Sequence, residues 1–353
     1  MKAFTIKDLI DVELPIIQAP MAGVQDSELT IAVCEASGLG SLPCGMLSID
    51  VMTEQIRAIR KATSRPYNLN FFCHEMPAFD PHQQDMWKQQ LQPYYKELGL
   101  DIEGVSVGTS RKPFNHEMAD AIEPFSPEFI SFHFGLPSLD LMQRIWQWGG
   151  KIVSSATTVE EAVWLEKNKV DGIIVQGREA GGHRGMFLTD DLASQQSLSV
   201  LLPKIVEQVS VPVIAAGGIA CHGDFLKVRA MGACAAQVGT TYLLCPESKA
   251  THLHKNAIKQ KAKDNTKITN VFSGRPARGI FNRAMKVLGE MNSTAPTFPY
   301  ASIEMTPLRS KAELLGKDDF TPLWCGENTS GCSEQSAFDV TLSLAGLRNN
   351  KSP

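Results

Sequence analysis

Eight short apolar runs, each followed by a segment with helical periodicity, restrict this chain to very few architectures. They are residues 14–20 (LPIIQAP), 38–43 (GLGSLP), 67–72 (YNLNFF), 129–134 (FISFHF), 151–155 (KIVSS), 172–176 (GIIVQ), 211–216 (VPVIAA) and 235–239 (AAQVG). Their near-continuous hydrophobicity suits strands covered on both faces, as in a parallel sheet. The stretches between them are long enough to return the chain parallel to itself. One, 26–37, opens on Asp26; a second, 49–63, follows Ser48; a third, 158–168, has Thr158 three residues before Glu161, the spacing of a capping box. Eight such units with right-handed crossovers predict an α/β fold, a (β/α)8 TIM barrel.

The plain repeat breaks twice. Residues 73–128 separate the third and fourth strands, are rich in Gln, His and Tyr, and carry a helical excursion at 81–98. After the eighth strand, 244–353 is mostly helical in pattern, with a Pro-rich stretch at 293–307. The expected organisation is a barrel over 1–245 with a helical insertion at about 76–125, and a mainly helical region over 246–353 packing across the barrel mouth. A net charge of −4 and a pI near 6.1, with the signs mixed, argue against nucleic acid or an acidic membrane as partner. No apolar run approaches the ~20 residues of a membrane span, and MKAFTIKDLI lacks the apolar core of a signal peptide. The eight cysteines form no CxxC pair and read as free thiols of a reducing compartment. The expectation is a cytoplasmic protein, monomeric or homodimeric.

In such a barrel, chemistry gathers where strands end, and the unusual residues of this sequence fall there. The first strand runs into Pro20-Met21-Ala22-Gly23, the third carries Asn70 and the fourth His133. The sixth ends at Gln176 and opens a loop containing Glu179-Ala180-Gly181-Gly182-His183-Arg184-Gly185. The seventh ends at Gly217-Gly218 and the eighth at Gln237-Val238-Gly239-Thr240. Two successive glycine turns expose backbone N–H groups suited to a phosphate. Asn70 and Gln176 are carboxamides able to bond a flat heterocycle with donors and acceptors, or else satisfied amides of the barrel rim. A phosphate cradle facing such a ring describes FMN. Within its glycines, His183 is the candidate catalytic group, with His133 second; a core hydrogen bond is the plainer reading of His133. Glu179 and Arg184 read as a local ion pair shaping the loop. No HExxH or Cys/His cluster has metal spacing, so no metal is expected.

These motifs resemble the class I nitronate monooxygenases, the 2-nitropropane dioxygenase family. The elements that carry the resemblance are Gln18-Ala19-Pro20-Met21-Ala22-Gly23-Val24, the run 37–46 (SGLGSLPCGM), His133-Phe134-Gly135-Leu136-Pro137 and the Glu179–Gly185 loop. Ser37 and Cys44 depart from the family's usual glycine and alanine. The loop alone is similar in flavin-dependent enoyl-acyl carrier protein and quinone reductases. The resemblance implies FMN held by Met21, Ala22, Asn70, Gln176, Gly181, Gly182, Gly217, Gly218, Gln237, Val238, Gly239 and Thr240, with His183 and His133 at the substrate. It implies oxidation of alkyl nitronates, propionate 3-nitronate foremost, with O2 to a carbonyl compound and nitrite by way of a flavin semiquinone. The substrate carboxylate would then need a partner from the tail, and Tyr300, Arg309 and Lys311 are the candidates. The alternatives are an FMN-dependent NAD(P)H reductase on the same barrel, a flavin-free barrel acting on a sugar phosphate, and a non-catalytic flavin-binding module.

Overall fold

Each of the eight apolar runs becomes a strand in the computed structural model, which describes residues 4–105 and 111–348. In chain order, β1 (Ile16–Gln18), α1 (Ser27–Glu35), β2 (Gly40–Pro43), α2 (Ile49–Ala62) and β3 (Tyr67–Phe72) open the barrel. Then come α3 (Pro81–Leu98), α4 (His116–Ile122), β4 (Phe129–His133), α5 (Leu139–Gln147), β5 (Lys151–Ala156), α6 (Val159–Lys167) and β6 (Gly172–Gln176). A short β7 (Gly182–His183) precedes α7 (Leu198–Gln208), β8 (Val213–Ala216), α8 (His222–Ala230) and β9 (Ala235–Val238). The barrel strands pair in parallel in the order β1-β9-β8-β6-β5-β4-β3-β2. The ring closes where Gln18 N donates to the Leu39 carbonyl and Leu39 N to that of Ile16, both at 2.9 Å. Prolines trim two expected spans: Pro15 and Pro20 bracket β1, and β8 starts after Pro212, which has no N–H for the ladder.

Local signals behave as their chemistry requires. Asp26, Ser48 and Thr158 each cap the helix that follows, accepting from the backbone N–H of Glu28, Val51 and Glu161. The reciprocal half of the expected capping box is absent. The Glu161 carboxylate is fully buried and turns instead to Thr157 N, Thr157 Oγ1, Phe187 N and Leu188 N at 2.6–3.2 Å. That leaves the acid tying the end of β5 to the loop beyond β7.

Because successive strand side chains alternate between faces, one residue in two points into the barrel. The inward set is graded along the axis. At the N-terminal end it is apolar: Ile17, Leu39, Phe129, Val153, Ile174, Ile214 and Ala235, sealed below by Ile6, Leu9, Ile10 and Val12. Further along it turns polar on six of the eight strands, with Ser41, Asn70, Ser131, Ser155, Gln176 and Gln237, while Ala19, just past β1, and Ala216 of β8 stand there on the other two. Asn68 Nδ2 bridges Ser41 Oγ and Ser131 Oγ at 2.9 Å, while its Oδ1 is buried with no partner among the described residues. The outward set, including Leu42, Leu69, Phe71, Ile130, Phe132, Ile173 and Val175, packs under the helices.

The tail departs from expectation in part. It supplies α9 (His252–Lys261), α10 (Arg283–Leu288), α11 (Ser302–Leu314) and α12 (Ala337–Leu344), but also a hairpin of β10 (Thr266–Thr269) and β11 (Ala277–Ile280). That hairpin pairs antiparallel with β7, Ala277 opposite His183 and Arg278 opposite Gly182. Above it, the insertion helix α3 packs Trp87, Leu91 and Tyr95 against Ala301, Met305 and Leu308 of α11, and Tyr95 Oη donates to the Glu304 carbonyl at 2.6 Å. Among the described residues no helix is long and apolar enough to cross a membrane.

The ring leaves no slack at β2. A Cβ on Gly40 would lie 2.1 Å from the Thr30 carbonyl oxygen of α1, backbone against backbone. Gly40→Ala is expected to destabilise the fold by about 3 kcal/mol or more, measured by urea unfolding. An unchanged midpoint would mean that α1 is free to shift.

Candidate active site

At the C-terminal mouth, the polar ends of the strands and the glycine loops surround one cavity of about 240 Å³. Its lower wall repeats the inward register: Ala19, Pro43, Asn70, Phe72, Ser131, His133, Ser155, Gln176, Ala216 and Gln237. Met21, Ala22, Gly181, Gly182, His183, Gly217, Gly218, Val238, Gly239 and Thr240 complete the part anticipated from sequence. The structure thus brings together around one space every candidate catalytic and cofactor-binding residue.

At one end lie the two glycine turns. Gly217 and Gly218 both have positive φ, +118° and +69°, and a Cβ on Gly217 would crowd Ala180 N at 3.1 Å. The amides of Gly218, Gly239 and Thr240 take no acceptor among the described residues. Thr240 Oγ1 accepts from Gly326 N at 2.9 Å, leaving its own hydrogen to donate, and Asn328 Nδ2 holds the Gly218 carbonyl at 2.9 Å. Gly326 and Asn328 belong to the tail and carry no strand-end signature, so no local pattern singles them out. This end is a nest of unused donors, the chemistry a phosphate requires. On the cavity wall, Gln237 Oε1 is buried without a partner among the described residues, an acceptor open to a donor from a ligand. Asn70 Nδ2 is bonded to Ser131. The amide of Gln176 is committed to the chain, Nε2 donating to the His183 carbonyl and Oε1 accepting from Gly185 N. Gln176 thus shapes the loop as well as lining the cavity.

His183 stands on the wall of the same cavity. Gly182 (φ +76°) turns the chain so that β7 can join the tail hairpin. The imidazole Nε2 then meets Ser273 Oγ at 2.8 Å, and its ring is walled by Phe134, Phe298 and Trp324, with centroids 5.5–6.1 Å away. The Nδ1 atom has no partner among the described residues. His133 lies alongside with both nitrogens engaged, Nδ1 with Ser155 Oγ at 3.0 Å and Nε2 with the His183 carbonyl at 3.2 Å. A carbonyl only accepts, so Nε2 carries the hydrogen and Nδ1 accepts from Ser155.

Two expectations need correction. Among the described residues no ion pair joins Glu179 to Arg184. Glu179 accepts from Leu198 N, while the buried Arg184 donates to Gln195 Oε1 and to the carbonyls of Gly177 and Gln176. The loop closes around the guanidinium, so its own carbonyls fill the fork. The second concerns the carboxylate partners: Tyr300 and Lys311 do not line the cavity, whereas Arg309 does. Tyr300 Oη donates to the Pro77 carbonyl at 3.0 Å. Lys311 is two residues beyond Arg309, about 200° round the helix. Two residues outside the strand-end search, Ser273 and Arg111, also line the cavity.

The site is positive yet its histidines are neutral. Burial holds His133 down to about 4, with Arg275 and Arg184 adding to the effect against the hydrogen bond to the His183 carbonyl. Burial, then the charges of Arg111 and Arg275 and the repulsion that a protonated His133 or His74 would add, put His183 well below 6.5. His74 and His254 are likewise held to about 4, chiefly by burial. Among the described residues no group of three or more His, Cys, Asp or Glu side chains could hold a metal.

Fold and site together define a (β/α)8-barrel enzyme with its chemistry at the C-terminal mouth. The nitronate monooxygenase family model matches residues 4–345. The chain is 35% identical to a nitronate monooxygenase of Paraburkholderia phytofirmans over 339 residues, covering 95% of this chain and 92% of the relative. It is 34% identical to a probable nitronate monooxygenase of Staphylococcus saprophyticus, covering 94% of each. Its fold superposes on nitroalkane oxidase from Streptomyces ansochromogenes with a TM-score of 0.87 at 34% identity, covering 97% and 96% of the two chains. FabK from Thermotoga maritima shares the fold (TM-score 0.73, 22% identity, 97% and 94% covered). This chain belongs to the nitronate monooxygenase family, whose members are flavin-dependent oxidoreductases.

The four depressed imidazoles carry a pH signature. Each is uncharged when folded at pH values where it would be protonated once unfolded, so the unfolded chain binds more protons below pH 6.5. Their contribution to stability is complete above 6.5 and is lost as pH falls towards 4, by up to about 1.4 kcal/mol per pH unit for each. Unfolding between pH 6.5 and 5 is expected to show this slope, and His133→Asn to flatten it. A pH-independent midpoint over that window would contradict the neutral site.

Proposed function

We propose that the protein binds FMN non-covalently and oxidises alkyl nitronates with O2 to a carbonyl compound and nitrite. The observation that carries this reading is one cavity lined together by the free amides at Gly218, Gly239 and Thr240, the orphaned Gln237 Oε1 and His183. A phosphate and a planar ring with mixed donors and acceptors match those groups. Met21, Ala22, Asn70, Gln176, Gly181, Gly182, Gly217 and Val238 form the remaining wall. When bound, FMN supplies the electron-accepting centre that amino-acid side chains lack.

The chain supplies orientation and charge. His183 faces the substrate as a neutral imidazole held by Ser273. His133 acts as a positioning residue, fixing the His183 carbonyl from below while Gln176 fixes it from the side. An imidazole this far below its ordinary value is a weak base, poorly matched to drawing the α-proton from a neutral nitroalkane. A nitronate arrives with that proton already gone, which favours it as substrate. Any proton that His183 does take up goes to Nδ1, the nitrogen free of protein partners. Phe134, Phe298 and Trp324 keep bulk water from the ring.

Oxygen uptake by FMN-loaded protein with propionate 3-nitronate tests the reading, with nitrite measured and NADH alone as control. Uptake with nitrite release and no need for NADH is expected. Silence with the nitronate but bleaching of the flavin by NADH would replace this reading with a reductase. His183→Asn is expected to keep its flavin and lose about 100-fold or more in kcat/KM; unchanged turnover would remove His183 from the chemistry.

A further inference from the structure

One cation on the cavity wall lacks a counter-charge among the described residues. Arg111 lines the cavity, and its Nη1 is buried without a hydrogen-bond partner among them. Its guanidinium carbon lies 5.7 Å from the Phe298 ring centroid, the same ring that stands 5.5 Å from His183. No carboxylate pairs with it among the described residues, and the preceding residues 106–110 (SVGTS) contain none. The charged neighbour acting on it is Arg309, also positive.

The other arginines of the neighbourhood differ. Arg309 is paired through Nε with Glu313 at 2.8 Å. Arg184 is saturated by carbonyls and Gln195. Arg275 also has a buried Nε with no partner among the described residues, but it donates to the Met186 carbonyl, stacks 4.1 Å from the Phe134 ring centroid and lies outside the cavity lining. Arg111 is half-buried, and a guanidinium N–H group withdrawn from water without an acceptor is costly, because its lost hydration is not replaced. Its planar fork fits one class of partner best, a two-oxygen planar anion taken by two parallel hydrogen bonds. The histidines around it are neutral, so Arg111 provides the full charge facing the space next to His183.

We infer that Arg111 is the substrate-anion anchor of this site, binding a carboxylate or nitronate group against Phe298 and so setting which nitro compounds enter. The inference rests on the nitronate reading for its substrate class, although the anion site itself does not require turnover. A carboxylate and a nitronate present the same pair of oxygens, and the source is told apart by substrate.

The test compares wild-type, Arg111→Met and Arg111→Lys holoenzymes with propionate 3-nitronate, which carries both groups, and propyl-1-nitronate, which carries one. Flavin content and thermal midpoint serve as folding controls. Arg111→Met is expected to raise KM for propionate 3-nitronate by about 10- to 100-fold, more than it lowers kcat. Arg111→Lys, keeping the charge without the fork, is expected to fall between. A KM increase confined to propionate 3-nitronate assigns the carboxylate to Arg111; an equal increase on both substrates assigns the nitronate. Calorimetric titration with propanoate, an inert carboxylate, gives a readout independent of catalysis. Binding by wild type that Arg111→Met abolishes would uphold the anchor even if no nitronate were oxidised. KM values within twofold of wild type on both substrates, with propanoate binding unaltered in Arg111→Met, would overturn it.

Discussion

The two-residue alternation of barrel strands is the constraint from which the site follows. Closing β1 onto β2 through Gln18 and Leu39 forces one side chain in two inward on every strand. Ile17, Phe129 and Ile174 then make a dry floor, while Ser131, Gln176 and Gln237, two residues later on neighbouring or the same strands, make a polar rim. A slip of one residue on any strand would put Leu69 or Val175 at the mouth and bury an amide under a helix. Foldability and function therefore depend on the same register.

Above that rim, the second constraint is electrostatic. Burial keeps His133 and His183 uncharged, and the arginines nearby push the same way. The result is a pocket with fixed positive charge at Arg111 and polar, uncharged imidazoles close by. Such a pocket is suited to an anion whose proton has already left. Its walls come from distant parts of the chain: the hairpin of β10 and β11 carries Ser273 to His183, and the 326–328 segment closes the opposite end over Thr240. Barrel and tail complete one site between them.

Much of this was legible in the sequence because it is local. Strand runs, the caps at Asp26, Ser48 and Thr158, and glycine turns at strand ends depend on neighbours within a few residues. Ser37 adopts positive φ (68°) without being glycine, so its departure from the family pattern leaves the turn intact. What escaped depends on contacts across the chain. Nothing near Glu161 announces that its carboxylate serves Phe187 and Leu188. The Glu179–Arg184 pair failed because proximity in sequence says nothing about which way a loop closes. The hairpin had a partial local signal in the turn-forming Ser273-Gly274-Arg275-Pro276, but its third strand, β7, is two residues long and exists only through pairing. Arg111 sits in a polar stretch like any surface arginine, and only the packing of Phe298 beside it reveals a half-buried charge on the cavity wall.

The claim on which the rest depends is that the donors at Gly218, Gly239 and Thr240 hold a phosphate while the ring lies inward beside Gln237. The most direct measurement is the affinity of flavin-depleted protein for FMN against riboflavin, which has the same ring and no phosphate, followed by flavin fluorescence. The account predicts that FMN binds at least about 100-fold more tightly, as expected for several charge-assisted hydrogen bonds. Equal affinities, or binding of neither, would contradict it.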